Sequence, residues 1–271
     1  MNLIDHTQKV PLNITTSLPY VNGAPHLGHA LEFVLADVLA RYQRTQGRDI
    51  RLQSGTDDFS LKNVRAAELA GLSTRAFVDQ QADRFEGLRR TLDLSFDDFL
   101  RTSRDSRHAP AVRALWKRCQ QQGDIYPHHY AGWYCVGCEQ FFEQADLVDG
   151  HCPEHTAPVE WVEEPNYFFR LRRYADRLRL LIESNELVIH PGVYREEALR
   201  QLDRGLVDLS VSRSQRRARG WGIGVPGDDS QVIYVWFDAL TNYISALGFP
   251  GNTDAYQRDD GNGDERRLSA D

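Results

Sequence analysis

Two histidines lie close together near the amino end of the chain, in Pro25-His26-Leu27-Gly28-His29. They fall between a predicted strand and the helix that follows it, which is where ligands bind in parallel α/β sheets. Imidazoles can donate hydrogen bonds to phosphoryl oxygens, a helix start offers unpaired N–H groups, and Gly28 allows the backbone to approach a nucleotide closely. The spacing taken alone favours a capping or surface role for such a pair.

Four sulfur- and nitrogen-bearing side chains occur in a pattern typical of a zinc site. Cys135-x-x-Cys138 is followed by Cys152-x-x-His155. Three thiolates and one imidazole complete a tetrahedral shell without an open position, which predicts a structural zinc that replaces a missing core. Reduced cysteines in a loop are the alternative interpretation, and His151 is a competing ligand that breaks the two-residue spacing.

The segments around the histidines predict a βαβ unit. Residues 12–17 have the apolar and β-branched composition of a buried strand. The next apolar residues recur at the spacing of one helical face and predict a helix: Leu31, Val34, Leu35, Val38, Leu39 and Tyr42. Gly47 closes this helix, and residues 49–53 alternate as a second strand, so the unit opens a parallel sheet.

The remaining segments predict further helices with one insertion. The expected helices span residues 61–93, 107–123, 167–184, 195–205 and 240–247, and a buried strand is expected over residues 232–236. Residues 130–161 are rich in aromatic residues, Cys, Gly and His and lack the apolar content for a core of their own. Residues 251–271 are polar and charged, so we expect them to be disordered.

The composition is that of a globular protein, with 41% of the 271 residues hydrophobic and 26% charged. A net charge of -7 argues against a general electrostatic grip on nucleic acid. A local basic cluster, of a kind usual in solvated loops, comprises Arg213, Arg216, Arg217 and Arg219.

Neither a membrane-length apolar run nor a signal-peptide pattern occurs, so we expect a cytoplasmic protein without membrane contact. Three of the four cysteines share one short segment, which favours metal over disulfides.

Six motifs in order resemble the methionyl branch of the class I aminoacyl-tRNA synthetases. His26-Leu27-Gly28-His29, preceded by residues 15–23, is similar to the HIGH motif of that family. The other five, in chain order, are Gly55-Thr56-Asp57-Asp58, Tyr134-Cys135-Val136-Gly137-Cys138-Glu139, Glu164-Pro165-Asn166-Tyr167-Phe168-Phe169, Asp208-Leu209-Ser210-Val211-Ser212-Arg213 and Val235-Trp236-Phe237-Asp238-Ala239-Leu240. The resemblance covers nearly all of residues 12–249.

The resemblance implies an α/β fold with a Rossmann-like parallel sheet and a small zinc-knuckle insertion. The implied parts are a first catalytic half over 1–128, a zinc-binding connective insertion over 129–163, an incomplete second catalytic part over 164–250 and a tail over 251–271. The implied reaction is the activation of methionine by ATP, with its Mg²⁺, to an aminoacyl-adenylate for transfer to tRNA. Zinc is the implied structural cofactor.

The resemblance also assigns roles to single residues. Asp57 would bind the substrate ammonium group. The pocket for the methionine side chain would be lined by Leu18, Tyr20, Trp236, Ala239 and Tyr243, and aromatic rings suit a polarizable thioether. The ATP-binding residues would be His26, Gly28, His29 and Arg213, with the two histidines catalytic. Without the resemblance, Asp57 would be a turn or cap residue, Trp236 and Tyr243 core residues, and Arg213 a surface residue.

Two departures from the family pattern affect these expectations. Where the common family form continues after Thr56-Asp57 with an acidic residue, His and Gly, this sequence has Asp58-Phe59-Ser60. The last third of the sequence contains no lysine, and we expect neither the family's lysine-bearing KMSKS loop nor its anticodon-binding domain in this chain. We therefore expect slow adenylation and no tRNA charging by this chain without a complementing subunit. The alternative functions are an activator that serves a small-molecule acceptor and a non-catalytic synthetase remnant that acts as a binding module.

Overall fold

A computed structural model describes residues 12–135, 137–138, 140–142, 144–154 and 158–251. The strands are β1 Leu12–Thr15, β2 Ile50–Thr56, β3 Asp98–Arg101, β4 Ile125–Cys135, β5 Gln140–Phe142, β6 Glu160–Phe169, β7 Leu209–Ser210, β8 Ser212–Ser214, β9 Gly224–Val225 and β10 Asp228–Ile233. The α-helices are α1 Leu27–Thr45, α2 Leu61–Leu69, α3 Thr74–Thr91, α4 His108–Gln121, α5 Ala175–Glu183, α6 Gly192–Arg204, α7 Gln215–Ala218 and α8 Val235–Ser245. Residues 252–271, nearly all of the tail expected to be disordered, lie outside the described residues.

The chain divides into two compact units. The first comprises residues 1–114, 221–223 and 235–271, and the second comprises residues 115–220 and 224–234. Each unit has its own sheet structure.

A parallel sheet in the order β1-β2-β3 forms the centre of the first unit. Leu12 pairs with Ile50, and Gln53 pairs with Asp98, so all three strands run in one direction. The helix α1 connects β1 to β2, as the βαβ prediction requires. The sheet confirms the predicted α/β class with a parallel sheet.

One close approach explains a glycine of this sheet. A Cβ atom on Gly55 would lie 2.0 Å from the carbonyl oxygen of Leu100 on β3. Any side chain at this position would therefore push β2 and β3 apart, just before β2 ends at Thr56.

The predicted helix is present as α1, but the buried face of α1 is not its periodic apolar face. That apolar face is largely solvent-exposed, with Leu31 at 61% and Val38 at 58%. The buried residues of α1 are Phe33, Asp37, Ala40 and Gln43. Phe33 contacts Phe96 edge to face, and the Asp37 carboxylate accepts the backbone N–H of Ser95. The spacing of apolar residues identified the helix, whereas its buried side is set by the contact of Phe33 with Phe96 and by the hydrogen bond between Asp37 and Ser95.

Three other element predictions differ from the structure. The single helix expected over residues 61–93 is broken between α2 and α3, where Gly71 has a φ of +68° and the Ser73 side chain caps α3. Residues 167–169, expected to begin a helix, end the strand β6, and α5 begins at Ala175. The strand expected over residues 232–236 ends at Ile233, and Val235 and Trp236 belong to α8.

The second unit is built from antiparallel strands. One sheet has the order β5-β4-β6-β7, and its long central pair joins residues 125–134 to residues 160–169. A second sheet has the order β8-β10-β9. The helix predicted over residues 107–123 is confirmed as α4, and its Trp116 is fully buried. Within the described residues, no helix is long and apolar enough to cross a membrane.

Candidate functional site

The carboxyl ends of β1 and β2 bring Tyr20 and Asp57 side by side. The two residues form a parallel bridge beyond the ends of the strands, and the Asp57 amide donates to the Pro19 carbonyl at 2.9 Å. Only 3% of Asp57 is exposed. Its Oδ1 accepts from the Phe59 amide at 3.4 Å, in the manner of an Asx turn. The turn role that the residue type alone suggested is thus present, and it fixes where the carboxylate lies.

The helix α8 contributes the aromatic residues of the same region. The Trp236 indole donates from Nε1 to the Tyr20 hydroxyl at 2.9 Å, and the Tyr243 hydroxyl donates to the Thr16 carbonyl at 3.2 Å. Ala239 is buried between these two positions in the helix sequence, and Leu18 is half-buried. All five residues that the resemblance assigned to a methionine pocket therefore lie in the first unit.

His26 and His29 form a reciprocal cap at the start of α1. The Nδ1 atom of His26 accepts from the Gly28 amide at 3.1 Å, and the Nδ1 atom of His29 accepts from the His26 amide at 3.3 Å. The two rings stack with their centroids 3.8 Å apart. Since an Nδ1 that accepts a hydrogen bond carries no proton, each neutral ring must hold its proton on Nε2. The capping role suggested by the spacing is present, and it leaves both Nε2–H groups as donors.

Gly28, His29 and Glu32 also shape the start of this helix. A Cβ atom on Gly28 would lie 2.9 Å from Cε1 of His26, so glycine makes room for the capping imidazole. Burial lowers the pKa of His29, the nearby His26 lowers it further, and Glu32 partly opposes them. Glu32 also accepts hydrogen bonds from the amide and hydroxyl of Ser17, which ties α1 to the segment after β1.

The segment that departs from the family pattern is held by side chains that the sequence analysis did not single out. The Trp221 indole donates to the Asp58 carbonyl at 2.7 Å, and its ring lies 5.4 Å from the ring of Phe59. The Asn63 amide donates to the carbonyls of Asp57 and Asp58 at 3.0 and 2.9 Å. Phe59, which replaces the family's histidine, therefore packs against the Trp221 ring. The only signal for Asn63 in the sequence was an asparagine soon after two acidic residues.

Lys62 is another residue that the sequence analysis missed. Its Nζ lies 5.0 Å from the centroid of the Tyr20 ring, a cation–π contact at the edge of the Tyr20–Asp57 region. It was visible in the sequence only as one of very few lysines, because its position depends on where α2 begins, and the Ser60 side chain caps that helix start.

Three of the four predicted zinc ligands converge in the second unit. One sulfur atom from each of Cys135, Cys138 and Cys152 lies within 4.8 Å of the others, and the Cys138 and Cys152 sulfurs are 3.4 Å apart. The Cys138 amide donates to the Cys135 sulfur at 3.5 Å. Sulfurs bound to one tetrahedral zinc at about 2.3 Å lie about 3.8 Å apart, so this cluster has the size of a zinc site.

The fourth ligand falls outside the described residues, since His155 is not among them. His151, the competing candidate, instead places its Nδ1 at 2.8 Å from the Asp149 carbonyl and does not belong to the converging group. Burial and the neighbouring sulfurs raise the pKa of Cys138. A bound cation would have the opposite effect, because it stabilises cysteine ligands in the thiolate form.

Arg213 belongs to the second unit and is buried, which corrects the surface position expected from residue type. Its Nη1 donates to the Ser212 carbonyl at 2.7 Å and to the Ser210 hydroxyl at 2.9 Å. Its guanidinium lies over the Tyr234 ring at 4.1 Å. Arg217 likewise lies over the Tyr134 ring at 4.0 Å. The arginine cluster is therefore only partly a solvated loop, because the rings of Tyr134 and Tyr234 cover two of its members.

Comparisons with known proteins agree with the motif resemblance. A family model described as tRNA synthetases class I (M) matches residues 12–160 and 155–260. The methionine–tRNA ligase of Brucella suis biovar 1 is 44% identical over 246 residues, which cover 89% of this chain and 47% of that protein. The Mycobacterium bovis ligase is 43% identical over 244 residues, covering 89% and 46%.

A solved structure is similar over the same region. Mycobacterium tuberculosis methionyl-tRNA synthetase in complex with methionyl-adenylate superposes with a TM-score of 0.84 at 42% identity. The match covers 90% of this chain and 48% of that one. The chain thus spans about half the length of the relatives it matches.

Proposed function

Because the chain belongs to the methionyl branch of the class I tRNA synthetase family, we propose that it binds methionine and ATP and joins them as methionyl-adenylate. The observation that carries this proposal is the bridge between Tyr20 and Asp57 at the ends of β1 and β2, with Trp236 bonded to Tyr20. This bridge places a buried carboxylate next to an aromatic surface. A methionine offers an ammonium group and a thioether to these two features.

Each part of the amino acid has a partner of matching chemistry. The Asp57 carboxylate binds the ammonium group, and its burial strengthens that attraction by excluding water. The rings of Tyr20, Trp236 and Tyr243 contact the thioether through dispersion and sulfur–aromatic interactions. Ala239 and Leu18 complete the apolar lining.

The nucleotide binds at the start of α1. His26 and His29 donate from Nε2 to phosphate oxygens, since their Nδ1 atoms are occupied by the cap. The helix dipole adds partial positive charge at the same end. The resemblance also assigns Arg213 to the phosphates, and this role stays a prediction, since Arg213 belongs to the second unit and its Nη1 donates to Ser212 and Ser210 there.

The reaction needs no side-chain nucleophile. A carboxylate oxygen of methionine attacks the α-phosphorus of ATP, the bond from that phosphorus to the bridging oxygen of the β-phosphate breaks, and pyrophosphate leaves with the electron pair. Catalysis then consists of in-line positioning and of neutralising the charge that grows on the leaving group. Mg²⁺ enters with ATP as part of the substrate. The adenylate is the donor for a second step, acyl transfer to tRNA.

We also propose a structural zinc bound by Cys135, Cys138, Cys152 and His155. The size of the three-sulfur cluster and the two pairs of closely spaced ligands support it. With four protein ligands the ion has no open position, and it supplies ordering energy to a segment with few apolar residues.

Binding and exchange measurements on the chain test the proposed function. Methionine should bind and be discriminated from leucine, and methionine should stimulate exchange of labelled pyrophosphate into ATP. Asp57→Asn should remove the methionine response, whereas Asp229→Asn, at an exposed position, should leave it intact. Equal affinity for methionine and leucine, or binding that survives Asp57→Asn, would contradict the proposal.

A further inference from the structure

The helix α8 has an unusual buried face, because most of its buried residues are polar. Four of its buried residues carry hydroxyl, amide or carboxyl groups: Asp238, Thr241, Asn242 and Ser245. The same helix carries Trp236 and Tyr243, which bond to the segment that follows β1. The position of α8 in the first unit therefore depends on hydrogen bonds, which have definite directions and lengths.

His108 makes two of these contacts from the first residue of α4. Its Nε2 lies 3.0 Å from Oδ1 of Asp238, and its Nδ1 lies 3.2 Å from the hydroxyl of Ser245. The side chains of His108 and Asp238 are both completely inaccessible to solvent. One imidazole thus links the first turn and the last residue of α8.

A second contact reinforces the first from the sheet. The Gln53 amide of β2 donates to the side-chain oxygen of Asn242 at 2.9 Å and to its carbonyl at 3.3 Å. Gln53 and Asn242 are also almost fully buried. Together the two contacts fix the rotation and the axial position of α8, which apolar packing alone defines less sharply.

The Asp238 carboxyl makes the helix position sensitive to His108. Its Oδ2 has no hydrogen-bond partner within the described residues. Burial raises the pKa of Asp238, and the hydrogen bond and charge of His108 act against that shift. Without the imidazole, the carboxyl would have to reach water or a new donor, and a movement of α8 is the available route.

We propose that His108 is a positioning residue for the amino-acid pocket, holding α8 so that Trp236, Ala239 and Tyr243 meet the methionine side chain. The inference rests on the proposed methionine site. His108 itself does not touch the substrate, since it lies under the opposite, polar face of the helix. Its contribution is to hold the aromatic side chains in place before the ligand arrives, which avoids an ordering cost on binding.

Substitutions that keep one bond at a time test this role. In His108→Gln the amide nitrogen takes the place of Nε2 and keeps the bond to Asp238. In His108→Asn the shorter side chain reaches only the position of Nδ1, so it keeps the bond to Ser245 and loses the one to Asp238. Ser245→Ala removes the second bond without changing His108. His129→Gln, at an exposed position on β4, is the matched control. All are compared at a temperature at which each variant is fully folded.

We expect His108→Asn to raise the methionine Kd on the order of tenfold, with a smaller rise for His108→Gln and an unchanged Kd for ATP. Hydrogen exchange without ligand should be faster in the α8 amides than in wild type, and unchanged in α1. If His108→Asn does not fold, His108→Gln and Ser245→Ala decide the question by the same two measurements.

Unchanged methionine affinity, or equal losses for methionine and ATP, would overturn the inference. A wild-type chain that fails to bind methionine would instead overturn the proposed function. In that case the exchange rates of the α8 amides still decide whether His108 fixes the helix, and wild-type rates in the variants would rule that out.

Discussion

The indole of Trp236 and the hydroxyl of Tyr20 are joined by a hydrogen bond of 2.9 Å between α8 and the segment that follows β1. Trp236 is nevertheless 47% exposed, so this ring is held in place without being buried. Tyr20 is in turn bridged to Asp57. The bond therefore connects the aromatic side of the proposed pocket to its carboxylate side.

Trp236→Phe should weaken methionine binding without unfolding the protein. Phenylalanine keeps an aromatic face but cannot donate to Tyr20, and a lost neutral hydrogen bond of about 0.5 to 1.5 kcal/mol corresponds to roughly a 2- to 12-fold higher Kd. Titration calorimetry with methionine measures the change.

Tyr20→Phe provides the matched control for the same bond. If the bond acts as one unit, the double variant should bind methionine no more weakly than the weaker single variant. Fully additive losses would show that the two residues act independently of each other.

Purified protein should contain one zinc per chain, and Cys138→Ser should lose it. The substitution removes one of three converging sulfurs, so the β4–β5 segment should become more sensitive to proteases while the parallel sheet stays intact. Elemental analysis and limited proteolysis measure these two effects.

Cys119→Ser is the control for that prediction, since Cys119 lies on α4 and outside the sulfur cluster. It should retain a full equivalent of zinc. Wild-type protein without stoichiometric metal, or Cys138→Ser with a full equivalent, would contradict the zinc assignment.

The parallel sheet and the cysteine cluster could be predicted from short-range patterns. The βαβ order followed from two strand-like segments around a periodic helix, and the cysteine cluster followed from ligand spacing. Both signals are local, because a strand, a helix turn and a zinc knuckle each involve residues close in sequence.

Long-range polar contacts were beyond prediction from the sequence. The buried face of α1 depends on Asp37 meeting Ser95, and the buried face of α8 depends on Asp238 meeting His108. A periodicity argument assigns polar residues to the solvent side, and it fails where a distant partner satisfies them. The surface position that residue type alone suggests for Arg213 fails for the same reason, since its guanidinium lies over the Tyr234 ring.

Tyr174→Phe should reduce stability at pH 8 and have a smaller effect at pH 12. Burial, with the hydrogen bond to Asp124 and its charge, raises the pKa of Tyr174 from 10.0 to about 12. The phenol is favoured in the folded state, so its contribution is complete below pH 10 and is lost as pH rises from 10 to about 12. Urea unfolding at both pH values gives the difference.

Tyr194→Phe, at a position 63% exposed, is the control for Tyr174. Its difference from wild type should be small at both pH values. A Tyr174→Phe effect that stays the same at pH 12 would contradict the linkage to Asp124.

His26→Asn should separate the capping role of His26 from its proposed role toward phosphate. Asparagine is among the best N-cap residues, so its side-chain oxygen can accept the Gly28 amide as Nδ1 does. It has no donor at the position of Nε2. We therefore expect an unchanged melting temperature and weaker binding of a non-hydrolysable methionyl-adenylate analogue, by roughly 10- to 150-fold for a lost charge-assisted bond of about 1.5 to 3 kcal/mol.

Two companion variants make the result decisive. His29→Gln retains an acceptor for the His26 amide, as in a capping box, and should behave like His26→Asn. His26→Ala loses the cap as well as the donor, so it should also lower stability by about 1 kcal/mol. Methionine alone should bind all three variants as it binds wild type, because its partners lie at Asp57 and along α8. If His26→Asn binds the analogue as tightly as wild type, the histidine pair caps α1 and does nothing more.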